Sequence, residues 1–305
     1  MTNKLKILHF PGLVTSFNPD WMNWLDPYLE LVPYDSNTAY PRGTLFYIKD
    51  TEAHQYNTDL LLNQGFKILY DNLWEVLAPP DFPSHVMHNQ NWFWYYESIW
   101  YTHLGLDQYQ PARTYEYLAL MPMRLDRPHR TRLMLQLRPK LDQMIWSYVA
   151  HGRSLPNDVP ADDCTMQRHF DPDWYNRTHY SIVAESCVHR NESQPVFITE
   201  KTYKAMAFQH PFIIYGNAHT LIELQAQGFA TYDNLWNEQY DHVQDPIERC
   251  RAVVDVVQGI VPEPHSALTL EKIAHNRERF FDSALVRSRI VNEIINPIFE
   301  YAETP

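Results

Sequence analysis

A lysine stands at the start of a predicted helix, in the stretch Val196 to Gly216. Thr199 is a good N-cap residue, and the apolar spacing after it predicts a helix from Glu200 to Gln209. The free N–H groups of a helix start carry partial positive charge, so Glu200 suits this position and Lys201 does not, unless an anion lies beside it. A helix N-terminus with an added lysine is typical of a phosphate site. The alternative is a solvated lysine on a surface helix.

A second predicted helix start repeats this pattern. The segment from Arg124 to Lys140 is rich in arginine and lysine, and Asp126 is its single acidic residue. Pro128 suits a first helical position and predicts a helix from Pro128 to Leu137. Arginine offers a forked, permanently charged donor that suits phosphate oxygens, so the two helix starts together could hold a diphosphate from two sides. A solvated basic face is the alternative. The basic residues at or beside this start are Arg127, His129, Arg130 and Arg132.

The composition excludes several classes of protein. A length of 305 residues suits two ordinary domains, and 45% hydrophobic residues indicate well-packed cores. No apolar run is long enough to span a membrane and the N-terminus lacks a signal sequence, which favours a cytoplasmic protein. Three cysteines without a CxxC pair argue against disulfides and structural zinc. The net charge of −12 disfavours DNA as a partner.

Strands and helices alternate along the chain, which predicts an α/β fold with parallel sheets. We expect two Rossmann-like domains facing a cleft, the GT-B architecture, followed by C-terminal helices. Residues 1–110 would form the acceptor-side domain and residues 111–265 the donor-binding domain, with residues 266–305 packing back on the first domain. The predicted strands are Lys4 to Phe10, Thr44 to Ile48, Phe66 to Tyr70, Tyr115 to Leu120, Met144 to Tyr148, Ser181 to Ala184, Phe212 to Tyr215 and Phe229 to Tyr232.

One internal echo supports two related halves. The segment Asn63 to Glu75 is answered by Ala226 to Glu238, and both contain Tyr-Asp-Asn-Leu-Trp after a glycine and a phenylalanine. In each half the echo follows a predicted strand, where the loops of an α/β fold line a ligand site. Asp233 and Glu238 of the second half therefore either contact a nucleotide or have no chemical role.

The run from Tyr180 to Gly216 resembles the donor-binding core of the α-1,3-fucosyltransferases. That family has an acid at a strand end, then Thr-Glu-Lys opening a helix, matched here by Glu185, Thr199, Glu200 and Lys201. Its upstream Pro-x-Arg is matched by Pro128-His129-Arg130. The resemblance implies that Arg130 and Lys201, with Arg127 beside them, bind the donor diphosphate. It further implies that Glu200 binds hydroxyls of the nucleotide-sugar, with Thr199 and Glu185 as further donor contacts.

The chain departs from the family beside the strand-end acid. The family usually has an aromatic residue before that acid and an asparagine after it, whereas this chain has Ala184 and Ser186. After Lys201 the helix continues Thr-Tyr-Lys-Ala, which fits looser relatives, including exostosin-like and viral or bacterial glycosyltransferases.

An inverting glycosyl transfer needs a general base for the acceptor hydroxyl and cations for the departing diphosphate. Asp71 and Glu75, after a predicted strand of the first half, are the candidate bases, and Glu75 is favoured. A metal-dependent enzyme using Asp171-Pro-Asp173 is the rival, but the cationic helix starts make a metal unnecessary. His85 and His88 lack a third ligand and are interpreted as structural.

The prediction is therefore an inverting, metal-independent glycosyltransferase without a bound cofactor. It would move a sugar from a nucleoside diphosphate donor, first a GDP-sugar, to a hydroxyl of a glycan acceptor. Two alternatives stay open: a virus-type glycosyltransferase acting on a hydroxylated DNA base, and an inactive module that binds a nucleotide or glycan.

Overall fold

The computed structural model describes residues 4–9, 27–49, 58–71, 84–87, 92–155, 171–189 and 196–304. The chain forms two compact units. The first contains Met1–Trp100 together with Ser283–Pro305, and the second contains Tyr101–Asp282. None of the helices among the described residues combines the length and apolar character that a membrane crossing needs.

The first unit is built on a five-stranded parallel sheet with the order β2-β1-β3-β4-β5. Helix α1 (Thr58–Asn63) precedes β4, and α2 (Trp92–His103) follows β5. Trp94 and Tyr95 of α2 are fully buried and belong to the core. The strands are β1 (Leu5–His9), β2 (Leu29–Pro33), β3 (Leu45–Lys49), β4 (Lys67–Asp71) and β5 (Ser84–Met87).

The second unit is built on a four-stranded parallel sheet with the order β7-β6-β8-β9. The strands at Thr178–Ala184 and Phe212–Tyr215 are buried at almost every position, as strands covered on both faces are. The strands are β6 (Tyr117–Met123), β7 (Met144–Tyr148), β8 (Thr178–Ala184) and β9 (Phe212–Tyr215). The helices are α3 (Pro128–Leu137), α4 (Pro172–Asn176), α5 (Glu200–Ala207), α6 (Thr220–Ala226), α7 (Pro246–Gly259) and α8 (Ala267–Phe281).

The C-terminal segment of the first unit consists of α9 (Ser283–Ile290), a π-helical turn (Val291–Ile295) and α10 (Asn296–Glu303). Glu293 fixes this segment to α2, because it accepts a hydrogen bond of 2.5 Å from the Tyr95 hydroxyl and pairs with Arg289 at 2.6 Å. The Arg289 guanidinium also lies 4.9 Å from the centre of the Trp94 ring.

The strand predicted at Phe229 to Tyr232 is wrong, because this segment is a loop. The N–H of Phe229 donates to the Leu224 carbonyl, and those of Ala230 and Tyr232 bond to side chains instead of a neighbouring strand. Ala230 N donates to Asn276 Oδ1 at 2.7 Å and Tyr232 N donates to Glu238 Oε1 at 2.6 Å. Burial of Phe229 and Tyr232 produces the apolar pattern that resembles a strand. The predicted fold class is confirmed: the chain is an α/β protein with two parallel-sheet units and C-terminal helices.

Candidate functional site

The candidate site lies at the carboxyl ends of β6 and β8, which are neighbours in the second sheet. From β6 the chain passes to β7 on one side, and it returns at β8 on the other side. Such a change of direction opens a crevice outside the strand ends, where doubly wound α/β folds bind ligands. Pro128 begins α3 just after β6, and Glu185 directly follows β8. The residues singled out in the second half of the sequence therefore meet at this crevice.

Arg130 is buried at the start of α3, with 3% of its surface exposed. Its Nη2 donates to the Glu185 carbonyl oxygen at 3.4 Å and its Nη1 to the Leu125 carbonyl oxygen at 3.3 Å. Its Nε is buried without a hydrogen-bond partner in the part of the chain that the structure describes. Burial lowers the pKa of Arg130, while the Glu185 and Glu200 carboxylates oppose that shift. The guanidinium stays charged at neutral pH, because arginine loses its proton only far above that range.

Lys201 occupies the start of α5, and three oxygen atoms hold its ammonium group. Nζ donates to Glu200 Oε1 at 2.6 Å, to Thr199 Oγ1 at 3.1 Å and to Ser186 Oγ at 3.2 Å. Thr199 is the N-cap residue, as predicted, and its side chain accepts from Lys201 N. Burial raises the pKa of Glu200. The charge and the hydrogen bond of Lys201, together with the charge of Lys204, outweigh that effect, so the net shift of the pKa is downward. Glu200 is thus an ionised carboxylate that orients Lys201.

Glu185 is completely buried and acts as the internal brace of the site. Its Oε1 accepts from Thr199 N at 3.1 Å and from Thr202 Oγ1 at 2.7 Å. Its Oε2 accepts from Thr199 Oγ1 at 2.5 Å and from Ser186 N at 3.3 Å. Four internal donors use both carboxylate oxygens, so this geometry favours a bracing role over a contact with a ligand.

The helix starts and their cations together form a site for a compact anion. Arg127 is the N-cap residue of α3, and its side chain makes no capping hydrogen bond to the N–H groups of that helix start. Arg127, Arg130 and Lys201 bring three positive charges to the crevice, and the acids beside them are Glu185, Glu200 and Asp126. Uncapped N–H groups and cations at a helix N-terminus attract phosphate.

His129 links α3 to the loop after β8 as a neutral ring. Its Nε2 lies 2.9 Å from the Glu185 carbonyl oxygen, which can only accept, so Nε2 carries the ring proton. Burial lowers the pKa of His129 to about 4, and the neighbouring Arg130 and Arg127 add to that decrease. The ring is therefore neutral at physiological pH.

We expect the chain to lose stability in acid partly through His129. The folded state binds this proton only near pH 4, whereas the unfolded chain binds it from about pH 6.5. The contribution is fully present above pH 6.5 and is lost as the pH falls towards 4, at a cost of about 3 kcal/mol in the free energy of unfolding. Buried His210, whose pKa is also lowered, adds to this loss. Urea unfolding across this range should show a shallower pH slope for His129→Gln than for wild type. Equal slopes would contradict the assignment.

The candidate bases of the first half are described only in part. Asp71 is the last residue of β4, so its backbone lies at the carboxyl edge of the first sheet. Glu75 lies outside the described residues, as does His88. His85 lies within β5.

The Asp-x-Asp sequence forms a helix cap. Asp171 Oδ1 accepts from Asp173 N at 2.9 Å at the start of α4. Asp173 pairs with Arg177 at 3.6 Å. Across the described residues, no group of three or more His, Cys, Asp and Glu side chains is arranged to hold a metal ion.

The two acids of the second repeated segment, Asp233 and Glu238, also make structural contacts. Asp233 pairs with Lys272, and Glu238 accepts from the backbone N–H of Tyr232. Both acids are therefore engaged in holding the loop that replaces the predicted strand.

Sequence reasoning missed Arg249, which is 1% exposed. Its Nε donates to the Gly216 carbonyl at 3.0 Å and its Nη2 to the Val188 carbonyl at 2.5 Å. It thereby fixes the backbone that follows β8 and β9. No local sequence pattern predicts this role, because α7 is an ordinary amphipathic helix and the carbonyl groups that Arg249 binds are distant in sequence.

No protein-family model and no curated protein matches this chain. Among solved structures, it is similar to a crystal structure of an α1,3-fucosyltransferase with GDP-fucose. The identity is 10% and the TM-score is 0.48, over 99% of this chain and 91% of the other. Because the identity and the score are low, the proposal below depends on this chain's own residues.

Proposed function

We propose that this chain is a glycosyltransferase that takes a sugar from a nucleoside diphosphate donor. One observation carries the proposal. The cations Arg130 and Lys201, from two different helix starts, flank a single strand end at the switch point of the second sheet. A diphosphate has two adjacent anionic groups, and two helix starts can each take one of them.

This arrangement suits the diphosphate as a leaving group as well as a ligand. When the bond from the sugar to the diphosphate breaks, negative charge grows on the departing oxygen. Lys201 is held in place by Glu200 and Thr199, so little reorganisation is needed to meet that charge. Because Arg130 and Lys201 supply the neutralisation, we propose that the transfer is metal-independent.

The general base that the transfer requires is assigned to the first unit. We propose that Glu75 or Asp71 takes the proton of the acceptor hydroxyl, which gives inversion at the sugar carbon. A glycan hydroxyl is the proposed acceptor. The Thr-Glu-Lys resemblance makes GDP-fucose the first donor to test. Glu200 would contact donor hydroxyls in addition to holding Lys201.

Release of free nucleoside diphosphate from a panel of nucleotide-sugars tests the proposal directly. We expect one donor to be consumed by the wild-type chain, equally with and without EDTA, and at a greatly reduced rate by Lys201→Gln. Glycan acceptors should raise the rate. Consumption that requires a divalent cation would contradict the metal-independent mechanism. A donor that binds but is never consumed with any acceptor would make the chain a binding module instead.

A further inference from the structure

A polar cluster that the proposed function does not use lies beside the start of α3. Its centre is Asp126, whose Oδ1 accepts from the Tyr148 hydroxyl at 2.9 Å. The same oxygen lies 3.2 Å from His151 Nε2. The Thr131 hydroxyl lies 2.7 Å from the Tyr148 hydroxyl and 3.4 Å from Asp126 Oδ1. Because Tyr148 uses its single hydroxyl proton towards Asp126, Thr131 donates to Tyr148 and supports it. Tyr148 and His151 therefore fix the direction of the Asp126 side chain.

The other oxygen of this carboxylate is available to a ligand. Oδ2 of Asp126 makes no hydrogen bond among the described residues, and the side chain is 65% exposed. Tyr148, in contrast, is only 1% exposed. A buried tyrosine therefore holds a carboxylate whose other oxygen is exposed to solvent. The hydrogen bond with His151 lowers the pKa of Asp126, which keeps the carboxylate ionised at neutral pH.

The cluster is next to the anion site on the same edge of the sheet. Asp126 directly precedes the N-cap residue Arg127, and the Tyr148 hydroxyl accepts from Arg127 N at 3.4 Å. Arg130 Nη1 donates to the carbonyl of Leu125, the residue before Asp126. Asp126 and Arg130 therefore both lie on the connection that leads from β6 into the first turn of α3.

An exposed anionic acceptor beside a phosphate site has a limited choice of partners. Phosphate oxygens and carboxylates are repelled by it, whereas neighbouring hydroxyls of a sugar ring donate well to one carboxylate. In doubly wound folds an acid at the strand ends commonly takes the ribose hydroxyls of a nucleotide whose phosphates lie at the helix start.

We propose that Asp126 accepts hydrogen bonds from sugar-ring hydroxyls of the donor, either those of the ribose or those of the transferred sugar. The inference rests on the proposed function. Tyr148 and His151, which hold the carboxylate, and Thr131, which supports Tyr148, are positioning residues.

Titration calorimetry of Asp126→Asn tests this assignment. Asparagine keeps an acceptor oxygen for the Tyr148 hydroxyl and loses the anionic acceptor. The probes are GDP, 2′-deoxy-GDP and GDP-fucose. Asp142→Asn is the matched control, because Asp142 is an exposed aspartate just before β7, at the opposite end of that strand. We expect Asp126→Asn to weaken binding about tenfold or more while Asp142→Asn leaves it unchanged.

The pattern of losses identifies the hydroxyls. A loss for GDP that disappears for 2′-deoxy-GDP supports the ribose, and a loss confined to GDP-fucose supports the transferred sugar. If Asp126→Asn binds all three probes as the wild type does, the subsite is overturned while the proposed function stands. If the wild-type chain binds neither these probes nor any other nucleoside diphosphate or its sugar, the subsite and the proposed function fall together.

Discussion

Replacement of Lys201 by glutamine is expected to weaken nucleoside diphosphate binding by about one to two orders of magnitude. A charge-assisted hydrogen bond contributes roughly 1.5–3 kcal/mol, which corresponds to about that change in the dissociation constant. The loss has a second source in this site. Without the ammonium, the buried Glu200 carboxylate faces the phosphates without compensation. Titration calorimetry with GDP measures the effect.

Two further variants separate these contributions. Lys204→Gln, three residues further along α5, removes a charge that acts more weakly on Glu200 than Lys201 does, so it should weaken binding much less than Lys201→Gln. The double variant Glu200→Gln with Lys201→Gln should recover part of the affinity, because it removes the uncompensated carboxylate as well. If Lys204→Gln weakens nucleotide binding as much as Lys201→Gln does, the effect comes from the loss of positive charge in general. That result would contradict a direct contact between Lys201 and the phosphates.

Replacement of Glu185 by alanine is expected to lower the free energy of unfolding by at least about 3 kcal/mol. The substitution leaves four donors without their acceptor: the backbone N–H groups of Ser186 and Thr199 and the hydroxyls of Thr199 and Thr202. Each buried donor that loses its partner costs roughly 1–3 kcal/mol. Urea unfolding measures the change.

The controls for Glu185 test the bracing role. Glu185→Gln retains the shape and an acceptor oxygen, so it should lose clearly less stability than alanine. Glu271→Ala changes an exposed acid on α8 and should be nearly neutral. If Glu185→Ala unfolds like the wild type but loses nucleotide binding, the carboxylate is a ligand contact, and the bracing role is wrong.

The parts of the fold that follow from local pattern were predictable. The strands at Met144–Tyr148 and Phe212–Tyr215 and the helix at Pro128–Leu137 have the predicted bounds. Proline at a helix start and short apolar runs beside turns are strong local signals. The segment at residues 229–232 has the same apolar pattern, yet it is a loop, because the N–H groups of Ala230 and Tyr232 donate to Asn276 and Glu238 and not to a neighbouring strand.

The candidate site was predictable as a list of residues but not as an arrangement. Cations at two helix starts pointed to phosphate, yet only the neighbouring positions of β6 and β8 bring Arg130 and Lys201 to one crevice. The internal use of Glu185 depends on Thr202, which no motif marks. The Asp126 cluster needs Tyr148 from a different strand end, so the sequence showed Asp126 only as an acid in a basic segment.

The central claim is a nucleoside diphosphate site formed by Arg130 and Lys201, and thermal unfolding with added nucleotides tests it most directly. We predict that one nucleoside diphosphate stabilises the chain selectively over its monophosphate and over inorganic phosphate, to the same extent with EDTA present. At about 100-fold its dissociation constant, the ligand should add roughly 2.7 kcal/mol to the free energy of unfolding. The absence of stabilisation by every nucleoside diphosphate and nucleotide-sugar would contradict the claim.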